Sequence, residues 1–452
     1  MKTLLLCRFI LIFLTPYMLT WLFPPLLFGE ETIMEATRSE FQKIPIWVMK
    51  FSPVQQNHKI SEQPHTQVRS ILKDDLTRSQ VFAVTALPSV NGAFFENKCV
   101  SLSPTLKSHF QKVTVSTWGR LGIGGTSSGA EGLIFDACVF DLGHQDVLTG
   151  KRYFSLKTSD ALLRLMAHRW ADELVYRYTG EQGIARTKIA FVGEKDNGRE
   201  LFVMDYDGYG PQQVTADGYL NLMPTWSPDR KSLIYTAYRD RQQVIMRREL
   251  ATGREEVLVS PASLNITATF APDGKSITYA EAKEGNSDIY QIEWDSRSPK
   301  QLTSHYSADL SPSWSPDGRH LAFTSDRGGR PQIYIMDADG SDVRRLTYDG
   351  DYNAAPAWSP KGDWIVYVCR VPGEGFKLCR ISPNGEERLQ ITSGKSIDDS
   401  PSWAPNGRHL VFSSIRKGES QLYIITSEGV GLEKISSMGT HLSSPSWSPF
   451  QP

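Results

Sequence analysis

Neither sign of charge dominates this chain. Its 49 lysines and arginines meet 50 aspartates and glutamates, for a net charge of -1 and a pI near 6.8. That balance leaves no basic footprint for nucleic acid, and no block of like charge is long enough to act as an interaction tail. Cysteine is scarce, 5 in 452 residues, and none has zinc-ligand spacing. After the first 28 residues no apolar run is long enough to cross a bilayer. Helical apolar spacing is missing from the whole second half, which excludes a two-helix solenoid there even though a regular repeat is present.

The repeat is one phrase returning six times: Trp226-Ser-Pro-Asp, Phe270-Ala-Pro-Asp, Trp314-Ser-Pro-Asp, Trp358-Ser-Pro-Lys, Trp403-Ala-Pro-Asn and Trp447-Ser-Pro-Phe, at steps of 44, 44, 44, 45 and 44 residues. Each period carries short β-rich runs, as in a propeller blade. In one unit the reading is strand A at 311–315, a Pro316-Asp317-Gly318 turn, strand B at 320–325, strand C at 332–336, a tight turn through Gly340, and strand D at 343–347. The first unit has strands B, C and D after Thr187 but no strand A, while a lone strand A closes the chain at 444–449. One end supplies what the other lacks. The expectation is a six-bladed β-propeller over 187–452 closed by its C-terminal strand, with no exposed blade edge.

The front of the chain reads differently. Residues 44–51 form an apolar strand pattern, and Val68, Ile71, Leu72 and Leu76 follow at helical spacing after Thr66, a candidate cap. Strands are expected at 133–140 and 153–156, then a long helix through Leu163, Met166, Trp170, Leu174 and Tyr178, capped by Ser159 or Asp160 and ended by Gly180. The fold class expected is therefore multidomain α/β plus all-β: a small N-terminal α/β domain over 44–180, a linker at 181–186, and the propeller. Lys2 and Arg8 precede an apolar stretch broken by Pro16, Pro24 and Pro25 and followed by Glu30 and Glu31. Residues 1–29 read as an export signal that is cut, leaving an arm at 30–43. The rival is an uncleaved anchor, because Leu27 rather than a small residue lies two before Gly29. Cys7 lies ahead of the apolar stretch with no small residue before it, so lipidation is discounted. Export makes disulfides permissible. The pairing of Cys99, Cys138, Cys369 and Cys379 stays open, with Cys369 and Cys379 facing each other or remaining buried free thiols.

Around the domain junction the chain carries Trp170-Ala-Asp172-Glu173-Leu174, Tyr178-Thr-Gly180-Glu-Gln-Gly183-Ile-Ala-Arg186-Thr-Lys-Ile-Ala190-Phe and Asp205-Tyr-Asp207-Gly208-Tyr, ahead of the Trp-Ser-Pro-Asp-Gly repeats and a terminal Trp-Ser-Pro plus aromatic. From about Ile44 to the end it resembles the TolB family, periplasmic members of the Tol-Pal system. The junction and the truncated terminal blade are the specific part. The stretch 119–132 is richer in Gly and Ser than the family pattern requires, and the arm has no close match. The resemblance implies a periplasmic adaptor rather than an enzyme, without cofactor and as a monomer. One propeller mouth would dock a Pal-like peptidoglycan-associated lipoprotein. The arm, through Thr32, Ile33 and Met34, would engage a TolA-like inner-membrane protein by strand addition. Other outer-membrane or peptidoglycan-associated proteins are further partners, and the role implied is outer-membrane integrity, protein import and envelope constriction during division in the cell cycle.

The loops leading into each strand A, at 219–223, 263–267, 308–311, 351–354, 397–400 and 441–444, are where the repeat is broken. Leu222, Leu264, Asn265, Asp309, Leu310, Asn353, Asp398, Asp399 and Leu442 are the candidate partner-binding residues, aliphatics mixed with amides and carboxylates. Each alone is also readable as an ordinary loop residue. Gly125-Thr-Ser127-Ser-Gly129 matches the nucleophile-elbow pattern, but the strand an elbow needs comes after it. The Asp337-Asp339 and Asp205-Asp207 turns lack the later glutamate of a calcium loop. His305 and His441 alone fall near the mouth, too few for a metal-dependent lyase. Two alternatives remain: a propeller that binds glycan, with Tyr219 and Tyr352 near the mouth, or one that gates an envelope hydrolase or lyase activity.

Overall fold

The computed structural model describes residues 42–49, 51–54, 62–85, 115–125, 131–141, 146–195, 198–239, 241–260, 264–283, 285–294, 298–436, 438–439 and 441–451. The signal, the arm with Thr32, Ile33 and Met34, Cys99 and Ser127 lie outside them. The front domain consists of β1 (Ile44–Val48), β2 (Ser52–Pro53), α1 (Glu62–Arg78), β3 (Phe82–Thr85), β4 (Val115–Gly125), β5 (Glu131–Asp141), β6 (Asp146–Ser155) and α2 (Asp160–Thr179). Its sheet runs β3-β1-β4-β5-β6, with β1 parallel to both neighbours and β4, β5 and β6 antiparallel.

Helix α1 starts a turn earlier than a cap at Thr66 would place it. Pro64 falls in the first turn, where its missing N–H would have no intrahelical partner, so it does not stop the helix. At α2 the Ser159 hydroxyl accepts the Leu162 amide at 3.3 Å, and Gly180 takes φ 71° to end the helix. The apolar stripes of the two helices, Val68, Leu72 and Leu76 with Met166, Trp170 and Leu174, meet Ile46, Phe135 and Val139 in one core. The buried Trp170 indole donates to Thr117 Oγ1 at 2.7 Å, so its polar edge is satisfied.

The second half begins with β7 (Lys188–Lys195), β8 (Gly198–Asp205), β9 (Gln212–Gln213), β10 (Leu220–Trp226), β11 (Ser232–Arg239), β12 (Gln242–Glu249) and β13 (Glu255–Val259). Four four-stranded sheets follow. They are β14 (Leu264–Phe270) with β15 (Ser276–Lys283), β16 (Asn286–Glu293) and β17 (Lys300–Gln301), then β18 (Asp309–Trp314) with β19 (His320–Ser325), β20 (Gln332–Asp337) and β21 (Arg344–Arg345). The third is β22 (Asn353–Trp358), β23 (Ile365–Val371), β24 (Gly375–Ile381) and β25 (Arg388–Gln390), and the fourth is β26 (Ile397–Trp403), β27 (His409–Arg416), β28 (Glu419–Thr426) and β29 (Glu433–Lys434). The last strand, β30 (Leu442–Trp447), returns to pair antiparallel with β7, so that β7 to β13 and β30 belong to one eight-stranded sheet.

The fourth strand of a unit is shorter than its sequence suggests. At β21 only Arg344 and Arg345 pair; the Leu346 amide still reaches the Ile333 carbonyl at 2.8 Å, but Thr347 Oγ1 accepts the Ile333 amide at 2.9 Å and ends the ladder. Thr215, Thr303 and Thr392 do the same at 2.9 Å in their own units. Gly340 is required at its turn, since it takes φ 96° and an added Cβ would lie 2.4 Å from the Leu302 carbonyl oxygen. The Asp339 carboxylate there accepts the Ser341 amide and hydroxyl, at 2.9 and 2.6 Å, which is hairpin chemistry. Cys369 on β23 and Cys379 on β24 are joined by a disulfide, with Cα atoms 5.8 Å apart.

The front domain and the propeller share their packing. The core that holds Trp170 and Phe135 continues into Ile189, Phe191, Tyr206, Val411, Leu422 and Trp447. Ile184 and Ala185 of the connecting segment are buried in it, and the Asp172 carboxylate fixes that segment by accepting the Ala185 amide at 2.8 Å and Arg186 Nε at 2.7 Å. Polar contacts reinforce the junction. Arg78 forks onto Glu433 at 2.9 and 2.7 Å, Tyr206 and His168 both hold Asp75, at 2.5 and 2.7 Å, and Arg164 reaches Asp207 at 2.5 Å.

Two histidines at this junction titrate in opposite senses. His409 Nε2 donates to the Arg78 carbonyl at 2.9 Å and its Nδ1 faces the Asn406 amide at 3.2 Å, an arrangement that suits only neutral imidazole. Burial accordingly brings its pKa down to about 4, helped by the Arg408 charge and opposed by the bond to Arg78. Burial also pulls His168 down, but the charge and hydrogen bond of Asp75, with Asp207 beyond, outweigh it and Arg164, and the net shift is upward. The unfolded chain binds the extra proton at His409 below about pH 6.5, so that contribution, roughly 3 kcal/mol, is lost as pH falls toward about 4. The His168 contribution is present below about pH 6.5 and is lost as pH rises through its raised pKa. The two histidine contributions are jointly largest near pH 6.5, and His409→Gln is expected to flatten the loss of stability between about pH 6.5 and 4. Urea midpoints measured across pH for both proteins check this; an unchanged acid limb in the variant would remove His409 as its cause.

Candidate partner-binding mouth

The first strands of the repeats, β10, β14, β18, β22, β26 and β30, touch in that order, and β30 also touches β10. All six share one irregularity. Register against the second strand slips between Leu222 and Thr225, Asn265 and Ala268, Leu310 and Ser313, Ala354 and Ala357, Asp399 and Ser402, and Ser443 and Ser446. In five of the six the bulged residue is non-glycine at positive φ: Met223 (53°), Ser311 (54°), Ala355 (51°), Ser400 (54°) and Ser444 (49°). Each precedes a proline, Pro224, Pro312, Pro356, Pro401 or Pro445. An N–H is dispensable where the ladder is already broken, so proline fits the bulge. A left-handed non-glycine residue costs about 1 kcal/mol or more, and it recurs at the same end of five of the six first strands.

Just before the bulge, β10, β18, β22 and β26 each carry a buried polar clasp. Asn221 Nδ2 donates to Asp217 at 2.8 Å and Glu200 at 3.1 Å, and Asn353 Nδ2 donates to Gln332 Oε1 and the Asp349 carbonyl, both at 2.8 Å. Asp309 receives the Arg327 fork at 3.0 and 2.8 Å. Asp398 accepts Ser414 at 2.6 Å and Ser396 at 3.0 Å, with Lys377 Nζ 3.7 Å away and both ions wholly buried. The apolar Leu442 takes this place in β30 and packs into the core, its carbonyl accepting Ser420 Oγ at 2.6 Å.

The expectation of an exposed position therefore fails for Asp309, Asn353, Asp398 and Leu442, which are buried and fix the loops. Leu222 and Leu310 are half-buried and Asp399 is exposed. Leu264 and Asn265 lie in β14 with side chains outside the described residues. Although Asp399 is exposed by surface area, the protein atoms around its carboxyl desolvate it and push it up, against the Ser400 amide donating at 2.7 Å. Tyr352 is pushed up by burial and by the Asp399 charge, and it packs edge-on to Phe376 at 5.1 Å. The sequence pattern did not single out the exposed apolar side chains here: Leu220, Met223 and Ile397 join Tyr219 in facing solvent on these loops, and Tyr306 and Tyr348 are exposed just ahead of the loops at 308–311 and 351–354. Tyr348 directly follows the Leu346-Thr347 pair that ends a unit, and Tyr306 comes after Leu302-Thr303 with Ser304 and His305 between, a signal visible in the sequence as aromatics on otherwise polar loops.

The other end of the first strands is different in kind. Trp226, Trp314, Trp358, Trp403 and Trp447, with prolines of the following turns, line a recess of about 370 Å³. The front of the chain packs on this turn side, the connecting segment through Glu181 to Lys361 at 2.5 Å and to Arg408 at 3.2 Å, and helix α1 through the Arg78 carbonyl to His409 at 2.9 Å. Among the described residues no cluster of His, Cys, Asp and Glu is fit to hold a metal ion, and no helix is long and apolar enough to cross a membrane.

These features define a β-propeller with a small N-terminal region packed on its turn side and an apolar-rimmed mouth at the opposite end of the first strands. Residues 175–451 match the TolB beta propeller domain, and the chain belongs to that family. It is 31% identical over 225 residues to the Tol-Pal system protein TolB of Methylobacillus flagellatus, covering 48% of this chain and 47% of that protein. With the Tol-Pal system protein TolB of Nitrosococcus oceani it is 32% identical over 257 residues, 54% of each. The chain spans about half the length of the curated relatives it matches. The crystal structure of TolB from Acinetobacter baumannii superposes with a TM-score of 0.76 at 27% identity, covering 90% of this chain and 97% of that one.

Proposed function

We propose that the protein is a periplasmic adaptor of the Tol-Pal system that works by binding rather than by catalysis, and that its propeller is a six-bladed ring closed by β30. Ring closure is supported by the cyclic contacts of the six first strands and by the β30 to β7 pairing. The eight-stranded sheet divides naturally into two blades at its weakest link, the single parallel pair of Leu220 with Arg199. In this reading a Pal-like lipoprotein docks on the open mouth, and the arm with Thr32, Ile33 and Met34 engages a TolA-like inner-membrane protein. Docking there would support outer-membrane integrity and constriction at division.

The observation that carries the reading is the exposed apolar rim, Tyr219, Leu220, Met223, Tyr306, Tyr348 and Ile397, held on clasped and bulged loops away from the front domain. Aromatic anchors on preorganised loops are what a stable protein interface needs. Asp399 and Leu310 stand beside the rim as its polar and aliphatic contacts, and buried Asp309, Asn353, Asp398 and Leu442 act by holding the loops.

Calorimetric titration with the soluble domain of the Pal-like lipoprotein from the same envelope tests this. Saturable binding is expected, weakened by about thirtyfold or more in Leu310→Arg and in Tyr348→Ala with unfolding midpoints unchanged. Absence of binding by the folded wild-type chain would remove the adaptor reading. The tyrosines of the rim favour one second reading, a glycan-binding mouth, and titration with a peptidoglycan fragment would then decide it.

A further inference from the structure

At the far side of the front domain, β6 ends its sheet: β5 pairs along one side, and among the described residues no strand pairs along the other. It is 10 residues long and most of its described side chains are exposed or half-buried. An open edge of that length is a template for an added strand. Next to it, α2 turns Leu165, Arg169 and Tyr176 outward, and together with Tyr153 and Phe154 of β6 they bound a groove of about 580 Å³.

The charge of this groove is one-sided. Lys151, Arg152, Arg169 and Arg186 line it against Asp172 and Glu173 only. Both acids are already engaged, Asp172 by Arg186 at 2.7 Å and Glu173 by Lys151 at 2.7 Å, and Arg152 is held by Asp136 at 2.6 Å. Arg169, exposed on α2, lies over the Tyr153 ring at 5.5 Å.

We propose that the groove between β6 and α2 is a docking site for an extended acidic segment of a partner protein, which adds as a strand to the β6 edge and places a carboxylate beside Arg169. Main-chain pairing supplies affinity in such sites and alternate side chains supply selectivity. The exposed Phe154, Leu165 and Tyr176 receive the apolar side chains. A second copy of this chain is disfavoured as occupant, because antiparallel pairing of two β6 edges would bring Lys151 and Arg152 of each copy together. This site is separate from the propeller mouth and stands whether or not the mouth binds a lipoprotein.

The test uses the full chain with two fluorescent heptapeptides, one alternating Asp with Val and one alternating Lys with Val. The acidic peptide is expected to bind at least about tenfold more tightly, to lose about tenfold in Arg169→Glu and in Leu165→Lys, and to weaken with added salt. Hydrogen exchange at the amides of 146–155 is expected to slow only when the acidic peptide is present. Arg169 and Leu165 are exposed, so unchanged unfolding midpoints in both variants are expected. Equal binding of the two peptides, or binding without protection of β6, would overturn the proposal. So would full protection of those amides in the free protein, since the edge would then be covered by the chain itself.

Discussion

Trp447→Ala is expected to lower the unfolding free energy by about 3–5 kcal/mol, as removal of a buried indole typically does. The residue sits in the last strand, yet its contacts are with the first. Its indole donates to Thr187 Oγ1 at 2.8 Å, its backbone pairs with Ile189, and its ring belongs to the core that holds Phe191 and Tyr206. The amide of Trp447 also receives an oxygen partner from the preceding unit, Ser402 Oγ at 3.0 Å. Loss of the ring thus loosens β30 from both neighbours and leaves β7 with an unpaired edge, which invites association as well as unfolding. Trp447→Phe keeps most of the apolar area and removes the indole bond, so a cost nearer 1 kcal/mol is expected. Urea denaturation followed by hydrogen exchange at 188–195 separates the two effects. If Trp447→Ala left the midpoint and the protection of β7 unchanged, closure of the ring by the terminal strand would be wrong.

The repeat was legible because its marker is chemical. A Trp-Ser-Pro turn with a following Asp or Asn imposes one geometry wherever it occurs; Ser227 and Ser315 hydroxyls each donate to the Asp two residues on, at 2.6 Å. The caps of α2 were legible for the same reason, since Ser159 and Gly180 act on their own neighbours. What escaped were contacts made across units. Asn353 resembles any polar loop residue until Gln332, 21 positions earlier, is brought beside it. A left-handed Ser311 or Ala355 before proline runs against local preference, and only the ladder around it enforces it. Strand D was overestimated because a threonine side chain, not a turn, ends it. The disulfide between Cys369 and Cys379 needed the register of β23 on β24, which composition does not give.

Removing the carboxylate of Asp398 is the substitution that separates a residue that holds the mouth from one that touches a partner. Asp398→Ala leaves the Lys377 ammonium wholly buried with only Ser396, through its carbonyl and its hydroxyl, to receive it. An uncompensated buried charge of that kind costs about 3–5 kcal/mol. The loop that carries Asp399 and the left-handed Ser400 would lose its anchor as well. Replacing both ions, Lys377→Met with Asp398→Leu, removes the stranded charge and keeps the volume, and most of the stability is expected to return, short of about 1 kcal/mol for each serine hydroxyl left without its acceptor. Denaturation of the two variants and the wild type measures this directly. Titration with the Pal-like domain then reads the role: if Asp398 only positions the loop, binding is lost in the single variant and recovered in the double one. Persistent loss of binding in a stable double variant would place the Asp398 carboxylate in contact with the partner and would require the loop to open on docking.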